Sequence, residues 1–180
     1  MGGMQPTPQE PAPWRKLRER LAGYLAARAR GILASEFVLV SREGEEVGRL
    51  RVHGPQGADL EAGGIEATIE RVARSRYTML DGEGKVVLRE TARTGAAPDV
   101  RYGDRVYEVR LSLLRNAAVA LSPDGVEAAR VAGGLTNRSY EVYFDAGEEG
   151  GLPLAVFLLY RIVALRRRAF LANAGEAASP

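Results

Sequence analysis

The chain has 180 residues, enough for one domain with tails, and its 46% of hydrophobic residues can build a substantial core. It contains no cysteine, which excludes a disulfide framework and a thiolate site. The net charge of +2 conceals a segregation, because residues 11–33 and 161–168 are strongly basic whereas residues 34–160 are mildly acidic. This asymmetry indicates an anionic partner, and solvated basic ends are the simpler alternative.

The N-terminal part predicts a leader followed by a helix. Residues 1–13 carry four prolines among polar residues and predict a disordered leader, and Pro13 suits a helix start. Apolar residues then recur with a period near 3.6, which predicts an amphipathic basic helix over 14–33, ending around Gly31. Either this helix packs its apolar stripe on the domain, or it lies on a membrane surface or a partner. Its cations near the start are Arg15, Lys16, Arg18 and Arg20.

The middle of the chain predicts short antiparallel strands. Three hairpins are predicted over 37–53, 77–88 and 116–131, the last two with Asp-Gly turns, which favour tight connections. Further strands are predicted over the ranges 65–72, 106–114 and 139–144, and the first of these also fits a helix. Eight to ten strands at such spacing are typical of a meander or barrel, and an open β-sandwich with a packed helix is the alternative.

The segment from Leu152 to Leu165 is apolar around its whole circumference but shorter than the roughly 20 residues that span a bilayer. Such a helix needs an apolar surround, so we expect an antiparallel β-barrel domain over 34–171 that encloses a C-terminal helix of about 153–170. Residues 172–180 predict a frayed tail. Arg161 interrupts the apolar segment, and its charge requires a carboxylate or carbonyl partner, a position at the barrel mouth, an anionic ligand, or a membrane-lying helix.

Tyr140-Glu-Val-Tyr-Phe144, followed by the apolar segment 152–165 and preceded by the Asp81–Gly84 hairpin turn, resembles the tubby-like superfamily. That group includes the tubby C-terminal domain, the plant LURP-one-related proteins and the phospholipid scramblases. The resemblance covers residues 34–170 and implies a twelve-stranded barrel around the C-terminal helix, with a binding or scaffold role. The cysteine run and calcium loop of scramblases are missing. With just Lys16 and Lys85 in the chain, the phosphoinositide-binding lysines of tubby have no counterpart, so no site residue carries over.

No catalytic motif is recognisable. His53 is the single histidine, predicted on the outward side of a strand, and the sequence lacks the serine-hydrolase, zinc-protease and phosphate-loop signatures. The carboxylates cluster in predicted turns, where solvation is the simple interpretation. We therefore expect no enzymatic activity, no cofactor and no metal site.

The leading functional hypothesis is a non-enzymatic, tubby-like binding module. It would be cytoplasmic and would bind an anionic membrane surface peripherally, or a protein partner, through basic residues at both ends of the chain. These are Arg15, Lys16, Arg18, Arg20, Arg166, Arg167 and Arg168. One alternative is a membrane anchor through residues 152–165, with the three consecutive arginines as cytoplasmic flank. The other is nucleic-acid binding through the basic ends, which the acidic middle disfavours.

Overall fold

The computed structural model describes residues 10–31, 34–74, 76–91 and 98–176. Within these ranges, twelve antiparallel strands form a closed barrel in which every strand pairs with its neighbours in sequence, and β1 pairs with β12 to close the wall. The strands are β1 (Tyr24–Arg30), β2 (Glu36–Val40), β3 (Glu46–Val52), β4 (Gly57–Ala62), β5 (Ile65–Ala73), β6 (Arg76–Asp81), β7 (Val86–Thr91), β8 (Asp99–Tyr102), β9 (Arg105–Ser112), β10 (Ala117–Leu121), β11 (Glu127–Gly133) and β12 (Ser139–Phe144). The helices are α1 (Ala12–Leu21) and α2 (Gly151–Glu176), with one 3-10 turn at Gly54–Gln56.

The barrel closes around α2, as the apolar segment predicts. The side chains from Leu154 to Tyr160 are at most 2% exposed, since inward-facing residues of the strands surround them. β12 shows the matching alternation, with Tyr140, Val142 and Phe144 buried and the residues between them exposed. Protein strands thus supply the apolar surround of residues 152–163. No helix in the described part of the chain combines the length and hydropathy needed to cross a bilayer.

The N-terminal helix is shorter than predicted. α1 ends at Leu21, because Ala22 and Gly23 adopt left-handed backbone angles with φ of 46° and 85°. The predicted helical range 14–33 therefore contains β1, whose Leu25 and Ala27 point into the core. The helix prediction for these residues is wrong, although Leu25 follows Leu21 at a helical spacing. The segment forms a strand because β2 and β12 would otherwise expose unpaired edges.

Of the two interpretations of this helix, packing on the domain is the one observed. Trp14, Leu17 and Leu21 are at most 4% exposed and belong to the same core as the first residues of α2. Of the predicted leader, residues 1–9 lie outside the described range. Glu10 is already buried and α1 begins at Ala12, so the end of that leader belongs to the fold.

Two further boundaries differ from the sequence prediction. α2 continues to Glu176, so the first residues of the predicted tail are helical, and residues 177–180 lie outside the described range. The sequence predicts eight to ten strands where the structure has twelve, because the prediction places β1 in a helix and includes no strand for β4 and β8. Residues 65–72, which fit either periodicity, lie in β5.

Candidate functional site

The two ends of the barrel carry different helices and connections. At the first end, α1 lies over the mouth, α2 begins, and the turns comprise residues 41–45, 63–64, 82–85, 103–104, 122–126 and 145–150. At the second end α2 emerges between the connections that follow β1, β3, β5, β7, β9 and β11, whose described residues are 31, 34–35, 53–56, 74, 98, 113–116 and 134–138. The antiparallel meander places alternate connections at opposite ends.

The two ends carry opposite charge. In the turns of the first end, acidic residues outnumber basic ones by eight to two. Among the second-end connection residues that the structure describes there is no acid, and there are three arginines: Arg74, Arg115 and Arg138. The three arginines of α2 at positions 166–168 leave the barrel at this same end. Charge that looks scattered along the sequence is thus sorted by the fold into an acidic and a basic end.

The four predicted cations of α1 lie at the acidic end. Arg18 is buried and donates from Nε and Nη2 to the carboxylate of Glu10 at 3.0 and 2.8 Å, and it also contacts the carbonyl of Ala146. The hydrogen bonds to Glu10 raise the pKa of Arg18, against the opposing effect of burial. Arg20 pairs with Glu45 at 2.8 Å. Arg15 and Lys16 are exposed.

The predicted arginines of α2 surround the point where the helix leaves the barrel. Arg166 donates from Nε to Asn137 Oδ1 and from Nη1 to the Leu113 carbonyl, both at 2.9 Å. Arg167 reaches backbone carbonyls of Val52 and Ala34 on another side of the mouth, where burial lowers its pKa. Arg168 is exposed. Two of the three arginines therefore hold the mouth around α2, and the third faces solvent.

The fold separates the two predicted groups of cations. Leu152 shares a small void with Trp14 and Leu17 of α1, whereas Arg166 contacts second-end turns. Arg166 follows Leu152 by fourteen positions, which is a rise of about 21 Å along a helix. The two groups therefore face opposite directions along the barrel axis, and one flat surface met end-on contacts just one of them.

The structure adds residues that the sequence analysis missed. Leu114 and Leu135 are both 100% exposed, each in a second-end turn and two residues before an asparagine. Asn116 and Asn137 adopt φ of 48° and 55°, a left-handed conformation that asparagine tolerates and that shapes both turns. Asn116 Nδ2 donates to the Gly134 carbonyl at 2.8 Å and to Asn137 Oδ1 at 3.0 Å. The sequence signal is a leucine two residues before an asparagine; Leu114 falls at the end of the predicted strand 106–114, and Leu135 falls between predicted strands.

Inside the barrel, Arg161 has the internal partner that its burial requires. Its Nη2 lies 3.1 Å from Glu90 Oε1, with side chains 14% and 1% exposed respectively, and its guanidinium lies 4.6 Å from the ring centre of Tyr77. The Tyr77 amide donates to Glu90 Oε2 at 3.1 Å. Burial raises the pKa of Glu90, against the opposing effect of Arg161. Of the sequence alternatives, internal pairing is the one observed.

Other polar groups offer less to a ligand. His53 follows β3, is exposed, and lies with Nε2 at 2.8 Å from Asp59 Oδ2. Within the described ranges, no three histidine or carboxylate side chains are placed to hold a metal ion. A groove of about 790 Å³ at the first end runs between Trp14, Val86 and Tyr102, with carboxylates on its rim.

Comparison with known proteins adds one likeness. No protein-family model matches the chain, and no curated protein matches it. The X-ray structure of a protein from Arabidopsis thaliana is similar in fold, with a TM-score of 0.53 and 14% identity, over 78% of this chain and 91% of that one. At this identity the likeness shows the fold alone.

Proposed function

We propose that this protein is a non-enzymatic binding module of the tubby-like kind that docks on an anionic membrane surface with the second end of its barrel. The observation that carries the proposal is the sorting of charge by end, which leaves the described second-end connections with arginines and no carboxylate. A basic residue near an anionic leaflet contributes about 1 kcal/mol. The twelve strands and the enclosed C-terminal helix support the tubby-like part of the proposal.

The cations of α1 are less suited to bind an anionic surface than the arginines at the second end. Arg18 and Arg20 in α1 already pair with carboxylates, and acidic turns lie around that helix. Those turns repel an anionic surface, so this proposal does not place α1 against the membrane. We expect the protein to be cytoplasmic and to bind the membrane peripherally, because anionic lipids face the cytoplasm.

Vesicle co-sedimentation of the full chain tests the proposal. Vesicles of phosphatidylcholine alone, and with added phosphatidylserine, are compared at about 0.1 M and roughly 0.5 M salt, since exposed charges are screened at the higher value. We expect binding to the anionic vesicles that is lost at high salt. Binding to a DNA duplex without binding to either vesicle would contradict the proposal and favour the nucleic-acid alternative.

A matched pair of triple variants locates the surface. The second-end variant is Arg115→Gln, Arg138→Gln and Arg168→Gln, which leaves the structural Arg166 and Arg167 in place. The α1 variant is Arg15→Gln, Lys16→Gln and Arg20→Gln, with the same loss of charge. At about 1 kcal/mol per residue, the first should weaken vesicle binding about a hundredfold. The second should leave binding unchanged or strengthen it, and equal losses would refute the choice of end.

A further inference from the structure

Exposed apolar side chains gather at the same end as the arginines. Of the nine large hydrophobic residues that are exposed in the described part of the chain, six lie near the second end. Leu114 and Leu135 are 100% exposed, and Phe170 and Leu171 on α2 are 73% and 69% exposed. Single exposed apolar residues are ordinary, whereas a group at one place marks an interaction surface.

Polar contacts hold together the two turns that carry Leu114 and Leu135. Arg166 connects the turn of Leu114 to the turn of Leu135, through the Leu113 carbonyl and the Asn137 side chain. Asn116 ties the same two turns a second time. Phe170 follows Arg166 by four residues, which places both on one face of α2. The exposure of the leucines is therefore fixed by the fold of the turns, and Phe170 extends the same face beyond the barrel mouth.

We infer that Leu114, Leu135 and Phe170 form an apolar tip that enters the bilayer when the second end docks. The inference rests on the proposed function, since the arginines first bring this end to the anionic surface. The occupant is lipid because each apolar residue has an exposed arginine near it in sequence: Arg115 directly follows Leu114, Arg138 comes three residues after Leu135, and Arg168 comes two before Phe170. Exposed apolar residues with arginines close to them match an anionic leaflet, in which acyl chains lie below phosphate groups.

Because the chain contains no native cysteine, a dye can be attached at a single introduced cysteine to test the inference. Leu114→Cys and Leu135→Cys are each labelled with an environment-sensitive dye, and Val126→Cys at the first end, where Val126 is 60% exposed, is the matched control. On anionic vesicles the two leucine positions should shift to shorter emission wavelength and be quenched by nitroxide in the acyl chains. The control position should do neither.

Co-sedimentation of the same labelled proteins separates the two hypotheses. Sedimentation with anionic vesicles, without a shift at Leu114 or Leu135, would overturn insertion and leave surface docking standing. A shift at Val126 alone would overturn both, since the first end would then face the lipid. Failure to sediment with anionic vesicles would overturn the proposed function and with it the insertion.

A second pair of variants distinguishes apolar insertion from charge. Leu114→Ser with Leu135→Ser should weaken binding to the anionic vesicles about a hundredfold at about 0.1 M salt, and by the same factor at each higher concentration at which binding is still measurable, because burial of apolar area is not screened by ions. The arginine variants should instead flatten the salt dependence. Val86→Ser with Val126→Ser, two exposed positions at the first end, should bind as the unaltered protein does. A leucine variant that binds normally would overturn the inference.

Discussion

Breaking the Arg161–Glu90 pair inside the barrel should destabilise the protein strongly. Arg161→Met keeps the volume of the side chain and removes its charge, and Glu90→Gln retains an oxygen that can accept from the Tyr77 amide. At the observed 3.1 Å and an effective dielectric constant of about 20, the Coulomb attraction is about 5 kcal/mol before desolvation. Because each single variant leaves the other charge buried, each should lower the free energy of unfolding by about 3 kcal/mol or more.

Urea unfolding of the two single variants and the double variant provides the measurement. The single tryptophan, Trp14, is 2% exposed, so its fluorescence reports the loss of packing between α1 and the barrel. The double variant leaves no unpaired charge. Its decrease in the free energy of unfolding should therefore be smaller than the sum of the decreases of the two single variants, by at least about 1.5 kcal/mol. Additivity within about 0.5 kcal/mol would refute the claim that the two charges sustain each other.

The pH dependence of Arg161→Met gives an independent check. Burial raises the pKa of Glu90 in the folded protein above its usual value of 4.5, and loss of the arginine raises it further. The folded state then binds a proton that the unfolded state releases, so stability increases as the pH falls. The stabilising contribution is complete below 4.5 and is lost as the pH rises through the folded pKa. The deficit of this variant should therefore be larger at neutral than at acidic pH, and a constant deficit would contradict the assignment.

Three further changes test the packing that forms the barrel. Gly57→Ala should cost about 2 kcal/mol or more in urea unfolding, since φ is +149° and an added Cβ would lie 1.9 Å from the Ile69 carbonyl oxygen, whereas Gly82→Ala meets ordinary contacts and should be near neutral. Leu17→Ala, which removes a buried contact between α1 and the barrel, should cost about 2–5 kcal/mol, and thermal unfolding that matches the unaltered protein would contradict the docking of α1. Tyr160→Phe removes the hydroxyl that donates to the Gly54 carbonyl at 3.1 Å, and should cost about 1 kcal/mol by chemical denaturation; no loss would show that this bond does not help to hold α2.

The local sequence determined much of the wall and its filling. Alternation from Tyr140 to Phe144 and the Asp-Gly turns predict antiparallel hairpins, because side chains alternate along a strand and glycine tolerates a tight turn. The unbroken apolar surface of 152–165 predicts an enclosed helix. Arg161 within this apolar segment predicts a buried partner, since an isolated charge is too costly in an apolar interior. These are properties that neighbouring residues impose on each other within one element.

Tertiary structure decided what depends on residues distant in sequence. Barrel closure made residues 24–30 a strand, although Leu21 and Leu25 fit a helix, because the pairing energy of β2 and β12 outweighs a local periodicity. It chose Glu90 as the partner of Arg161, seventy-one positions earlier in the chain. It also separated the two basic groups along the barrel axis and joined the turn that carries Leu114 to the turn that carries Leu135. A linear sequence shows its charges in chain order, whereas an antiparallel meander sends alternate turns to opposite ends, and that sorting creates the basic, apolar end.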